Sequence, residues 1–245
     1  MNTYSVLQGN LGQALEPAVL EAAVDATRTI TRMDCPRLQR EISGIMVSGL
    51  DHEDALAFQA ALAARHYPTV VVADAELPVL HASHQVQRFD RREDALVLTD
   101  SIGREFVQPL TALVFLAAGM HGRMERRSLI ESHESNWDGV PFAPRKVQEQ
   151  AEMVFRCDLF FSQEPHRLHL GLGKDTAIFH QGQPIRLRNS QAVGDFMTAL
   201  AALLPEERIN SQLRQPATTL FYPNLHVYEN EIRWHFQHFI AAGAV

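Results

Sequence analysis

The 245-residue chain is mildly acidic, with 46% hydrophobic and 21% charged residues and a formal net charge of −7. This length can bury one large core or two smaller ones. An acidic balance argues against non-specific nucleic-acid binding, which depends on a basic surface. The only lysines are Lys146 and Lys174, which argues against binding to anionic membranes. No apolar run is long enough to span a bilayer, and the first residues lack a secretion-signal pattern, so we expect a soluble cytoplasmic protein.

The first 76 residues predict the order strand, helix, helix, strand, helix, strand. The segments are, in chain order, 4–7, 14–29, 36–42, 45–47, a helix that follows Asp51, and 69–73. Asp51 is the predicted N-cap, and Glu53 and Asp54 place negative charge in the first helical turn. Acidic residues at a strand-to-helix turn would repel a phosphate, which argues against nucleotide binding there. This order favours a small α+β sandwich over residues 1–78, with the helices on one sheet face.

The same element order, and the phrase GIMVSGLDHEDALAFQAALAARHYPTVVVADAE within it, resembles two families. These are the C-terminal domain of the bacterial ribosomal stalk protein and the ClpS-like protease adaptor. Both are small docking modules whose helical faces bind other proteins, so the resemblance implies a docking fold. No partner-binding motif of either family matches residue by residue, and no functional residue is carried over.

After a linker at 77–83, the pattern changes to short strands. They are predicted at 85–89, 95–99, 105–108, 112–117, 154–161 and 168–172, with a further strand near Ile178 or Ile185. The polar stretch 120–152 predicts an exposed insertion or long loop, with a helical turn near 147–153. Ser190 is the predicted cap of an amphipathic helix that Pro205 ends. The tail, 206–245, is rich in aromatic residues and favours a strand followed by a helix.

Strands followed by one amphipathic helix, over residues 84–205, resemble a pleckstrin-homology-like barrel. The resemblance implies an antiparallel split barrel with the helix closing an open corner. Such domains bind lipids, peptides or nothing, so the fold does not choose a function. The predicted fold class is therefore α+β: a sandwich module over 1–78, a barrel-like module over 84–205 with the insertion 120–152, and the extension 206–245.

Twelve histidines give the chain three H-x-x-H pairs: His81/His84, His166/His169 and His235/His238. Two imidazoles three residues apart share a helix face and can chelate a metal ion, whereas on a strand they face opposite sides. Only His235/His238 is predicted to lie on a helix. No H-E-x-x-H or CxxC motif accompanies any pair, so scattered surface and core histidines are favoured over a metal site.

Two cysteines, Cys35 and Cys157, belong to no CxxC pair, which favours two reduced thiols over a disulfide. Cys35 stands at a predicted helix start, where the helix dipole lowers a thiol pKa, but a small buried apolar residue is the commoner case. Cys157 lies in the apolar segment VFRCDLFF and is predicted to be buried and inert. Trp137 and Phe142 in the predicted loop either anchor a partner or pin the loop to its own barrel.

Two small arginine clusters are predicted to be solvated faces: Arg123, Arg126 and Arg127, and Arg186 with Arg188. No catalytic, cofactor-binding or metal-binding residue is assigned. The missing active-site motifs favour a non-catalytic intracellular binding or regulatory protein that acts through contacts with an unknown protein partner. The candidate surfaces are the helical face of the first module and the segment 120–152. The alternative is a metal-dependent hydrolase that gathers histidines from separate elements.

Overall fold

The structure is a computed structural model that describes residues 2–129, 146–172, 175–186, 190–215 and 221–239. It contains both helices and several sheets, which confirms the predicted α+β class. Three sheets organise the molecule: a small sheet of order β2-β1-β3, a central sheet of order β13-β8-β9-β10-β4, and an outer sheet of order β12-β11-β5-β6-β7. Their strands and the packed helices are given below in chain order.

The first unit has the predicted order of elements. These are β1 (Tyr4–Gln8), α1 (Pro17–Asp25), α2 (Cys35–Glu41), β2 (Ile45–Leu50), α3 (His52–Ala63) and β3 (Thr69–Ala73). The central strand β1 pairs antiparallel with β2 and β3, and the helices pack on one face around Leu20, Phe58 and Leu62. Asp51 is the N-cap of α3, as predicted: its Oδ1 accepts a hydrogen bond from Asp54 N at 2.8 Å.

The described residues after the first unit form the two five-stranded sheets and three α-helices. The elements are β4 (His84–Val86), β5 (Arg88–Arg91), β6 (Ala95–Thr99), β7 (Glu105–Pro109), β8 (Leu113–Leu129), β9 (Lys146–Phe161), β10 (Arg167–Gly171), β11 (Ala177–His180), β12 (Gln183–Ile185), α4 (Ser190–Ala201), α5 (Ser211–Arg214), β13 (Phe221–Tyr222) and α6 (Leu225–Phe239). The apolar core lies between the central and outer sheets. The predicted helix at Ser190 is α4, which adds Phe196, Met197 and Leu200 to this core.

The expected antiparallel split barrel is corrected in two respects. Within the described residues no ladder joins the central sheet to the outer sheet, so the strands do not close into a barrel. Three strand pairs are parallel: β10 with β4, β11 with β5, and β13 with β8. The chain changes sheet between β4 and β5, which only Gln87 separates, and again between β10 and β11. The local sequence of a short strand does not show which other strand it pairs with. The prediction therefore followed sequence order and made consecutive strands antiparallel neighbours.

The expected loop over 120–152 is also wrong for its described parts. Residues 120–129 and 146–152 belong to β8 and β9, which pair antiparallel from Met120↔Phe155 to Leu129↔Lys146. No helical turn forms at 147–153. Beyond the neighbouring strands, residues 122–129 and 146–153 continue as a two-stranded ribbon of about 25 Å, at 3.3 Å per residue. The register sets Arg123 opposite Glu152.

The helix α6 lies between the first unit and the central sheet. One side packs on Phe115 and Phe160 of the central sheet. Its Trp234 packs on the outer face of the small sheet, and the indole Nε1 donates a hydrogen bond to the Gln8 carbonyl oxygen. Residues 221–239 of the tail therefore form a short strand and then a helix, as predicted, and the short helix α5 precedes them. None of the described helices combines the length and the apolar character needed to cross a bilayer.

Candidate functional site: a cleft at the start of the last helix

The face of the central sheet that α6 covers changes from apolar to polar along β9. Because side chains alternate along a strand, Phe160, Asp158 and Arg156 share this face, while Cys157 and Leu159 point into the core between the sheets. The apolar part lies under the body of α6. The polar part lies near the helix start, and its side chains form one connected network.

Asp158 is the centre of this network and is fully buried. Its carboxylate accepts hydrogen bonds from Arg156 Nε at 2.6 Å and from Arg167 Nε at 2.8 Å. Burial alone would raise the pKa of Asp158, but the two guanidinium groups outweigh it and hold the pKa below the ordinary value. Arg167 also donates to Glu229 Oε1 of α6 at 2.9 Å, which ties the helix to the sheet.

Next to this network is a cleft of 580 Å³, the size range of small-ligand sites. Among the described residues, its lining carries two guanidinium groups and three imidazoles and no carboxylate, hydroxyl or thiol side chain. The lining residues are Gln85, His121, Gly122, Arg123, Val154, Phe155, Arg156, His169, Gly171, Asn224, Leu225 and His226. The positive groups come from β8 and β9, at the base of the ribbon.

Burial and the neighbouring arginines determine the protonation state of His169. Burial, together with Arg156 and Arg167, lowers the pKa of His169 from 6.5 to about 4, and Asp158 only partly opposes the shift. The imidazole is therefore neutral at neutral pH. Its Nδ1 is buried and has no hydrogen-bond partner within the described ranges. His121, which is 7% exposed, lines the same cleft, and its one hydrogen bond to a described residue joins Nδ1 to the Gly122 carbonyl oxygen at 3.3 Å.

The N-terminus of α6 completes the cleft. Asn224 caps the helix, because its Oδ1 accepts a hydrogen bond from Val227 N at 3.0 Å. The first two helical residues, Leu225 and His226, line the cleft. Their backbone N–H groups lie in the first turn, where the helix itself offers no carbonyl oxygen to accept a hydrogen bond from them. The positive end of a helix dipole favours an anion at this position.

The three H-x-x-H pairs lie on different kinds of secondary structure. Only His235/His238 lies on a helix, as predicted. His235 is fully buried, and His238 stacks on Trp234 with ring centroids 4.4 Å apart. The fold instead brings together His81 and His166, members of different pairs, with ring centroids 4.9 Å apart. In the part of the chain that the structure describes, no three His, Cys, Asp or Glu side chains could hold a metal ion together.

Both cysteines are free and buried, in different cores. Burial raises the thiol pKa of Cys35 despite its place at the start of α2, which supports the apolar interpretation. Cys157 has its pKa raised by burial as well and faces the core between the sheets. Neither thiol reaches the cleft.

The two surfaces predicted to bind a partner are the helical face of the first unit and the segment 120–152, and both remain predictions. The helical face of the first unit carries exposed ion pairs, such as Arg28 with Glu53 at 3.1 Å and Arg37 with Glu41 at 3.1 Å. Trp137 and Phe142 lie outside the described residues. Arg123, expected on a solvated face, is exposed as predicted but also lines the cleft, where it forms no ion pair with any described residue.

Sequence reasoning missed the network that supports the cleft. Its signal is present in VFRCDLFF, where Arg156 and Asp158 alternate with buried apolar residues. Two charges on one side of an otherwise apolar strand need partners, which predicts a buried ion pair. Comparison with family models, curated proteins and solved structures gives no match to this chain.

Proposed function

We propose that this chain is a non-catalytic binding protein that recognises an anionic group of a protein partner in the cleft. The partner's group is a carboxylate, from an acidic side chain or a chain end. The observation that carries the proposal is the convergence of two guanidinium groups and a helix N-terminus on a lining without any carboxylate. The ribbon beside the cleft offers strand edges to the rest of the same partner.

Electrostatics favour a carboxylate in this cleft. Arg156 is held in place by Asp158 and by Ser83, whose Oγ accepts from the guanidinium at 2.9 Å, so the group is preorganised. Arg123 is exposed and forms no ion pair with a described residue, although Glu152 lies opposite it across the ribbon, so its guanidinium group can turn toward a ligand in the cleft. Charge-assisted hydrogen bonds from arginine to carboxylate are among the stronger polar contacts in proteins.

The cleft chemistry supports binding over catalysis. Its described lining has no serine, threonine, cysteine or lysine to serve as a nucleophile and no carboxylate base. His169 is neutral at neutral pH, and a neutral imidazole is a far weaker general acid than the imidazolium ion. The three imidazoles that line the cleft are the one feature in favour of the alternative, a metal-dependent hydrolase. Metal analysis of untagged protein after dialysis separates the two: stoichiometric zinc, manganese or iron supports the hydrolase.

The proposal also gives the partner class and the compartment. The net charge of −7 favours a protein partner over nucleic acid or an anionic membrane. Two free buried thiols support a reducing cytoplasm. These inferences do not depend on the identity of the partner.

Binding of short acetylated peptides tests the proposal. One peptide ends in a free carboxylate and its control in an amide, and isothermal titration at matched ionic strength compares them. We expect only the free carboxylate to bind, and Arg123→Gln to weaken it about tenfold, because a hydrogen bond to a charged group contributes about 1.5–3 kcal/mol. Arg65→Gln, an exposed change on the first unit, is the matched control and should leave affinity unchanged. Equal affinity for both peptides, or no effect of Arg123→Gln, would refute the proposal.

A further inference from the structure

A second cavity lies between the first unit and the C-terminal segment. It has a volume of 320 Å³ and shares no lining residue with the cleft. The end of β1 and the chain after it, α2, β13 and α6 supply its walls. The residues that matter for its chemistry are Arg40, Ser43, Phe221, Tyr222 and Glu231.

Glu231 is the buried acid of this cavity, and it is 2% exposed. Its carboxylate accepts hydrogen bonds from Ser211 N at 2.6 Å, from Tyr222 Oη at 2.7 Å and from Ser43 Oγ at 3.1 Å. Burial would raise the pKa of Glu231, but the nearby His235, the Ser211 N–H and the Tyr222 hydroxyl outweigh it and hold the pKa below the ordinary value. The group is therefore anionic at neutral pH.

Apart from the His235 imidazole, no described side chain of basic type pairs with this buried negative charge. No described arginine forms an ion pair with Glu231. The nearest base is His235, whose Nε2 lies 3.7 Å from Oε1, and burial lowers the pKa of that imidazole, which keeps it neutral at neutral pH. Neither ring nitrogen of His235 has a hydrogen-bond partner within the described residues. Buried charges are normally paired, so the arrangement leaves a negative site beside an open cavity.

Aromatic and cationic groups frame the same cavity. Phe221 is 55% exposed and Tyr222 is buried, and both line it. The face of an aromatic ring attracts an ammonium group. Arg40, which is exposed on α2, lines the cavity as well. A carboxylate, an aromatic wall and a separate guanidinium form a surface with both signs of charge.

We propose that this cavity binds the ammonium group of a small organic molecule, held by Glu231 and by the aromatic wall of Phe221 and Tyr222. The shared chemistry is the ammonium group, which a simple alkylamine and an amino acid both carry. In an amino acid the carboxylate would pair with Arg40. The site does not rest on the function proposed for the cleft.

Titration of the full-length protein with ethylammonium chloride and with glycine, followed by ¹H–¹⁵N NMR, tests this site. Sodium chloride at the same concentration is the salt control. We expect shifts at the amides of Ser43 and Ser211 with both probes. Arg40→Gln should weaken glycine alone if the amino acid is the better ligand; equal binding of both probes to this variant identifies a simple amine site.

Two variants measure the contributions of charge and ring. Glu231→Gln should weaken both probes about tenfold, because the charge-assisted contact is lost. Phe221→Ala should weaken the binding of both probes about threefold, in line with an exposed cation–π contact. The control is Phe239→Ala, which removes an aromatic side chain that is 53% exposed and lies outside the cavity, and it should leave the affinity for both probes unchanged. Absence of shifts with either probe, or unchanged affinity in folded Glu231→Gln, overturns the site. If Glu231→Gln does not fold, unchanged affinity in Phe221→Ala does the same.

Discussion

Replacing Asp158 by asparagine tests the ion network under α6 at its centre. Asparagine keeps the shape of the side chain but removes the charge that two arginines share. The side chains of Arg156 and Arg167 are only 14% and 4% exposed, so water can replace the lost carboxylate only in part, on the side of Arg156 that faces the cleft. Removing one partner of a buried ion pair costs about 3–5 kcal/mol.

The structure places the expected loss at the lower end of that range. Arg167 keeps a second carboxylate, since its NH2 group donates to Glu229 Oε1 at 2.9 Å. We therefore expect Asp158→Asn to lower the free energy of unfolding by about 3 kcal/mol. In a chain of this length that corresponds to a fall in Tm of about 6–12 °C.

Urea unfolding followed by circular dichroism gives the free energy, and a thermal scan gives Tm. Asp90→Asn is the matched control: Asp90 is 2% exposed, but its ion-pair partner Arg92 is 59% exposed and stays solvated when unpaired. The control should cost about 1 kcal/mol or less. Ordinary surface substitutions change the free energy of unfolding by no more than about 0.5 kcal/mol. If Asp158→Asn has an effect as small as that, the network is not buried as described.

Three further results are expected. Trp234→Ala should lower the free energy of unfolding by about 3–5 kcal/mol, as for other large aromatic truncations in a core, while Phe239→Ala, exposed on the same helix, should cost less than about 1 kcal/mol; equal losses would contradict the packing of α6 on the small sheet. Gly44→Ala should destabilise more than Gly49→Ala, because both residues have φ of +80° but only a Cβ at Gly44 would collide with Trp234; equal urea midpoints would refute the collision. The His169 imidazole takes up a proton near pH 6.5 in the unfolded chain but only near pH 4 in the folded protein. The free energy of unfolding should therefore fall as the pH drops from 6.5 to 4, and His169→Gln should make this fall smaller. The same pH dependence in the variant would exclude His169 as its source.

Much of the first unit could be predicted because its signals are local. A proper N-cap at Asp51, apolar spacing through Phe58 and Leu62, and the Tyr67-Pro68 break define α3 without reference to the rest of the chain. Helix caps and helical periodicity are properties of a few neighbouring residues. The order of elements in this unit therefore followed from the sequence.

The second unit could be predicted only in part, because strand partners are not local. The extension of β8 and β9 was missed since both faces of the ribbon carry polar residue types, which removes the alternation that marks a half-buried strand. The parallel pairs were missed because β4 and β5 adjoin in sequence yet enter different sheets. Pairing of this kind is decided by packing between distant segments.

The cleft could not be found from motifs at all. Its charged and imidazole groups come from three strands and one helix, from His121 on β8 to His226 on α6. No spacing rule connects such residues, and the fold alone brings them together. What the sequence did offer was the alternation of Arg156 and Asp158 with apolar neighbours, which predicts a buried pair but not the cavity beside it.

The central claim, that the cleft attracts an anion, is tested most directly by the pKa of His169 in the presence of sulfate. Sulfate keeps its charge across the titration, and NMR of the imidazole Cε1 proton, assigned with His169→Gln, follows protonation. An anion beside Arg156 offsets the positive surrounding, so the account predicts that saturating sulfate raises the pKa from about 4 toward 6.5. A pKa that is the same in sulfate and in chloride of equal ionic strength would contradict it.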